Sequence, residues 1–199
     1  MRTSDPCIYA VGDAVQVREF VSGTDAVISL AGPANRQGRI AADNICGIPS
    51  EYKGSQGSSV IQVFDMTVAT TGLNEKTSKA AGIDYDKVYT YSASHATYYP
   101  GARNMSVKTL FEKGTGRILG AQIVGYEGAD KRIDVIATVI RSGGDYRLLE
   151  ELDLAYAPPY SSAKDPVNMA GFVIDNVVSG RVSQFFWNDV AALAADGSN

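Results

Sequence analysis

The stretch SVKTLFEKGTGRILGAQIVG (106–125) constrains this chain more than any other. Two strand-like runs flank Lys113-Gly114-Thr115-Gly116, whose composition is the turn chemistry of a β-hairpin. GADKRIDVIATVIRSGG (128–144) comes next and reads as an amphipathic helix. Ile133, Ile136, Ala137 and Ile140 fall on one face, and Gly143 supplies the stop. An antiparallel pair followed by a helix with one apolar face predicts an α+β class, with a mixed or antiparallel sheet packed by helices. GTGRILG (114–120) is not a dinucleotide loop. Its spacing is GxGxxxG, and it lies between two strands, where a phosphate loop needs a helix N-terminus after it.

The other elements are placed by the same rules. CIYAV (7–11) reads as a buried strand halted at Gly12-Asp13. Residues 14–32 form a loop, with a short strand near 26–30. GPANRQGRIAADNICG is a helix with Pro33 at its start and Gly47 at its close, and Ala41 and Ile45 share its apolar stripe. GIPSEYKGSQGSS (47–59) is a polar, exposed connection and the first boundary. VIQVFDMTVATTG (60–72) reads as one strand, LNEKTSKAAG (73–82) as a short helix stopped by Gly82, and KVYTYSASHA (87–96) as a half-buried strand. After LAYAPPYSSAKDP, Asp165 caps a helix that Pro166 opens, with Val167, Ala170, Ile174 and Val177 as its stripe. The last residues give an aromatic strand or loop and a short helix, too little apolar surface to fold alone. The expected division is therefore 1–47, 48–180 and 181–199.

Composition removes several functions. The 199 residues carry 18 Lys+Arg against 22 Asp+Glu, a net charge of −4, so the basic footprint of a nucleic-acid binder is missing. No apolar run reaches the roughly 18 residues of a membrane helix. Two widely spaced cysteines, Cys7 and Cys46, make neither a CxxC pair nor a zinc site. Both read as small apolar fillers, in a cytoplasmic, reducing setting with no secretory leader. His95 is the one histidine, so no His-based metal cluster is expected, and no GxSxG elbow accompanies it. It reads as a partly buried imidazole at a strand end.

Two segments resist a purely structural account. A strand ending in Gly12-Asp13, followed by a helix near Pro33, puts a carboxylate close to a helix N-terminus. That pair suits a polyhydroxyl ligand with a ring carbonyl at the helix dipole, and equally an ordinary turn and helix start. In LAYAPPYSSAKDPVN, two prolines between Tyr156 and Tyr160 impose a stiff, extended backbone. Tyrosine hydroxyls held that way suit a site, an interface or a packed corner. HATYYPG (95–101) has the same ambiguity.

At these residues the chain resembles a family. TSDPCIYAVGDAV is similar to the second flavin-binding motif of the FAD-dependent pyridine nucleotide-disulfide oxidoreductases, and SLAGPANRQGRIAADNICG to the helix after it. VFDMTVATTGLNE, the hairpin, the Ile-rich helix and LAYAPPYSSAKDPVNMAGFV resemble the C-terminal dimerisation domain. Within the family, coenzyme A disulfide reductases and the related NADH oxidases and peroxidases are the nearest in pattern. The resemblance implies that Gly12 and Asp13, with Leu30 and Ala31, bind FAD. It also implies that Tyr98, preferred over Tyr99, and Tyr156 reach the active site of the other subunit of a homodimer. Arg36 and Arg39 would contact the anionic end of coenzyme A, since guanidinium forks pair with phosphate.

The departures count as much. The family's redox cysteine, first GxGxxG and NAD(P)H site belong upstream, and AYAPPYS replaces a His-Pro-Thr acid–base motif. The chain is therefore expected to begin inside a domain, and residues 181–199 resemble the first elements of a rhodanese-like domain. The implied function is part of an FAD-dependent, NAD(P)H-using reductase of coenzyme A disulfide. The alternatives are an NADH oxidase or peroxidase, and a non-catalytic dimerisation module without turnover of its own. No metal, membrane or nucleic-acid partner is expected.

Overall fold

The computed structural model describes residues 1–195 and Gly197. Its centre is a five-stranded sheet, antiparallel throughout, in the order β3-β4-β7-β6-β5. The strands are β3 (Ser59–Val63), β4 (Met66–Gly72), β5 (Tyr85–Ala93), β6 (Asn104–Glu112) and β7 (Ile118–Gly125). The expected hairpin is β6–β7, with Gly114 and Gly116 at φ 82° and 73° in the turn. Alternation sets its faces: Met105, Val107 and Thr109 point inward and Ser106 outward, until a register shift at Leu110/Phe111.

Helix α3 (Ala129–Arg141) lies on β4 and β7, and α5 (Pro166–Val178) on β5. Ile136, Ile140 and Ile174 from the helices meet Ala69, Val88, Val107 and Ile123 from the sheet in one core. Asp165 accepts from the Val167 N–H at 3.0 Å and so caps α5 as its sequence predicts. A six-residue helix absent from the sequence reading, α4 (Tyr146–Glu151), packs against α5. Its tie to α5 is tertiary: Asn168 Nδ2 donates to the carbonyls of Leu149 at 2.9 Å and Leu152 at 3.0 Å. On the other sheet face, Glu75 of α2 (Glu75–Ala80) pairs with Lys87 at 2.6 Å and with Lys108.

The N-terminal region is built around α1 (Ala31–Ile45), with Gly47 at φ 78° just beyond its end. A one-turn 3-10 helix (Gly12–Ala14) and a two-residue ladder, β1 (Val17–Arg18) with β2 (Asp25–Ala26), precede it. Several expectations fail here. Residues 7–11 form no strand and keep only a single bridge from Tyr9 to Arg2, because among the described residues no strand lies beside them to complete a ladder. Cys7 and Cys46 are both exposed, not buried fillers. Ile45 is 67% exposed, while Gln37 and Ala41 face inward. The short strand near 26–30 is β2, at Asp25–Ala26. Residues 60–72 make two strands, since Phe64 takes φ 51° and turns the chain back on itself.

The tail lies along the edge strand β5. Gln184 Nε2 donates to the Lys87 carbonyl at 3.0 Å, and Phe186 lies edge-on to Tyr89 at 5.9 Å. It ends in α6 (Val190–Ala195), which buries no side chain.

Candidate active site

Two loops at one end of the sheet carry the aromatic segments. The first leaves β5 at Ser94 and contains His95, Tyr98 and Tyr99; the second is the stiff 155–161 stretch. The Ala96 N–H donates to the Ser161 carbonyl at 2.9 Å and clips them together. This brings the hydroxyls of Tyr98 and Tyr156 to 2.6 Å, with the side chains 75% and 46% exposed. Tyr99 goes elsewhere: its ring meets His95 edge-on at 5.8 Å. His95 is 6% exposed, and its Nδ1 lies 3.2 Å from the Ala96 carbonyl, so it packs the loop from beneath.

The hydrogen bond from Tyr98, aided by slight burial and by the charge of an ionised Tyr98, raises the Tyr156 hydroxyl above the ordinary tyrosine value. The Tyr156 phenol is therefore neutral at physiological pH. In such a pair one O–H satisfies its neighbour, and the other proton remains free to donate outward.

Beneath these loops lies a pair that sequence reasoning missed. Arg132 and Asp165 are each 2% exposed and joined at 3.0 Å. Burial would raise the Asp165 carboxyl, but hydrogen bonds from the Arg132 guanidinium, then from Ser161 Oγ and the Val167 N–H, outweigh it and hold the carboxyl below the usual range. A signal was present, because Arg132, Ile136 and Ile140 stand at i, i+4 and i+8, which puts the arginine on the apolar stripe.

The second set of expected residues lies around α1. Its N-cap, Leu30, offers no side-chain acceptor, and Pro33 has no N–H; among the described residues the N–H groups of Ala31 and Gly32 make no hydrogen bond and are open to another partner. Gln37 Oε1 accepts from the Gly12 N–H at 2.8 Å and fastens the Asp13 turn to α1, about 9 Å along the axis from its start. The Asp13 carboxylate is exposed. Gly32, Pro33 and Arg36 line an open cleft of roughly 660 Å³, with Asp134 and Arg141 of α3 opposite. Arg39 lies outside it and pairs with Asp43 at 3.3 Å. Among the described residues no group of three or more His, Cys, Asp or Glu could hold a metal ion, and no helix is long and apolar enough to cross a membrane.

Residues 58–166, from the start of the sheet to the first residue of α5, match the model of the pyridine nucleotide-disulphide oxidoreductase dimerisation domain. The chain belongs to that family. The family works with FAD and NAD(P)H. Coenzyme A disulfide reductase of Staphylococcus epidermidis is 36% identical over 172 residues, which are 86% of this chain and 39% of that protein. Among solved structures, the reduced Bacillus anthracis protein CoADR-RHD is 51% identical at a TM-score of 0.94, covering 98% of this chain and 35% of that one. An NAD-dependent persulfide reductase from A. fulgidus is 41% identical at a TM-score of 0.92, covering 96% and 36%. The chain thus spans about two fifths of the curated relative's length.

Proposed function

We propose that this chain acts within an FAD-dependent, NAD(P)H-using disulfide reductase, with coenzyme A disulfide as the favoured substrate, in the cytoplasm. Its part is to form the homodimer and to present Tyr98 and Tyr156 to the partner's exchange site. The single observation that carries this reading is the hydroxyl pair at 2.6 Å, exposed on loops stiffened by prolines. Buried tyrosine hydroxyls commonly serve packing; an exposed, mutually bonded pair is available to a ligand. The exposed apolar residues Val60, Ile61 and Val63 of edge strand β3, with Phe64 in the turn after it, 43–93% exposed, support association with a second copy.

The exchange breaks one S–S bond as another forms, and the departing sulfur leaves as a thiolate. The outward phenol proton, donated to that sulfur, stabilises it as charge develops. Arg36, on the open cleft, suits the phosphates of coenzyme A, with Arg39 as the second cation.

The α1 region fits the flavin. Asp13 would accept from ribityl hydroxyls beside Gly12, and Leu30, Ala31 and the N–H groups at the positive end of α1 would favour electron density on a ring carbonyl. When bound, FAD supplies the two-electron relay from nicotinamide to thiol.

A chimaera tests the reading: residues 3–180 replace the matching segment of the Staphylococcus epidermidis enzyme. Tyr98→Phe and Tyr156→Phe should each cut kcat/KM for coenzyme A disulfide by about tenfold or more while flavin reduction by the nicotinamide proceeds at the parent rate. Disulfide turnover indifferent to both substitutions overturns the proposal. The chain alone, mixed with NADH and coenzyme A disulfide, should give no turnover.

A further inference from the structure

Arg132 has more partners than an ion pair requires. Its Nε reaches Asp165 Oδ2 at 3.2 Å and its Nη1 the Gly128 carbonyl at 3.3 Å. Its Nη2 donates to the Ser94 carbonyl at 2.9 Å, to Ser161 Oγ at 3.3 Å and to Asp165 Oδ2 at 3.0 Å. Ser161 Oγ also donates to Asp165 Oδ2 at 2.5 Å. A Cβ on Gly128 would lie 2.1 Å from Nη1, so the glycine makes room for the guanidinium.

Stability does not explain the arrangement, because a well-packed apolar pair can replace a buried ion pair at no loss. What apolar groups cannot do is fix the directions of several acceptors from one rigid, planar fork. The acceptors here are chosen: Ser94 opens the loop of Tyr98, Ser161 closes the loop of Tyr156, and Asp165 caps α5. We propose that Arg132, backed by Asp165 and Ser161, is a positioning residue that sets the register of the Tyr98–Tyr156 pair. The inference deepens the reading of that pair as a site, and rests on it for its catalytic meaning only.

The test is NMR titration of this chain with tyrosine labelled at ζ-13C, using Tyr98→Phe as the reference for an unpaired Tyr156. In the unaltered chain Tyr156 should titrate above that reference; coincidence with it overturns the proposal. Arg132→Lys keeps the charge opposite Asp165 and loses the arm to Ser94. Tyr156 should then move at least halfway to the reference while thermal unfolding stays cooperative, and an unmoved titration overturns the proposal. If Arg132→Lys does not fold, Ser161→Ala decides on the same criterion, since it leaves the ion pair intact.

In the chimaera, Arg132→Lys should lower kcat/KM about tenfold or more, the scale expected of a small misplacement at a reacting centre. Turnover that needs both tyrosines but ignores Arg132→Lys refutes the positioning role alone. Turnover that ignores the tyrosines, with the titrations as expected, refutes the catalytic reading alone.

Discussion

Glu75 holds two lysines across strands β5 and β6, and its removal should be felt as a pH-dependent loss of stability. Burial would raise its carboxyl, but hydrogen bonds from Lys108 and Lys87, and then their charges, bring it from the ordinary 4.5 to about 2. A depressed carboxylate stabilises the fold above its unfolded value, and that contribution is lost as pH falls from about 4.5 through 2. The difference of about 2.5 pH units corresponds to a ceiling of roughly 3.5 kcal/mol, at about 1.4 kcal/mol per unit. Glu75 keeps 27% of its side chain exposed, where solvent and salt screen the pair. About 1–2 kcal/mol is therefore expected for Glu75→Gln at pH 7. Urea unfolding of both chains from pH 7 to pH 3 measures it. The gap should hold down to about pH 5 and be more than half gone by about pH 3. High salt should narrow it at pH 7. A gap that is constant across the whole range refutes the assignment to Glu75 ionisation.

Two further predictions concern the scaffold. A Cβ at Gly120 would sit 2.0 Å from the Leu73 carbonyl oxygen and 2.5 Å from its nitrogen, backbone atoms that cannot turn aside. Gly120→Ala should cost about 3 kcal/mol or more, seen as a Tm fall of about 6 °C or more. Asp145 caps α4 by accepting from Arg147 N–H at 3.0 Å and Leu148 N–H at 3.4 Å. Asp145→Ala should cost about 1 kcal/mol, a Tm fall of about 2–4 °C that a thermal melt resolves.

Local chemistry made much of the fold readable. The KGTG turn, the isoleucine stripe of α3, the Asp165-Pro166 start of α5 and the glycine after α1 each encode their element within a few residues. Readings failed where the deciding partner was distant. CIYAV has strand composition but no strand beside it among the described residues, and α4, capped locally by Asp145, is also held in place by Asn168 of α5. Phe64 turned one expected strand into two, and a non-glycine residue at positive φ carries no signature in composition.

The same division holds for the site. The pattern of residues named both tyrosine-bearing segments and the family, because prolines, tyrosines and their spacing are properties of the chain itself. It could not choose between Tyr98 and Tyr99 on physical grounds: adjacent side chains share composition, and only the backbone turn decides which reaches Tyr156 and which stacks on His95. Arg132 was equally opaque. A lone arginine on an apolar stripe acquires meaning when Ser94, Ser161 and Asp165, far apart along the chain, converge on one guanidinium. Sequence determines what each segment can be by itself, since propensity and capping act over a turn or two; which buried charges meet is decided by packing, which joins residues that no local pattern relates.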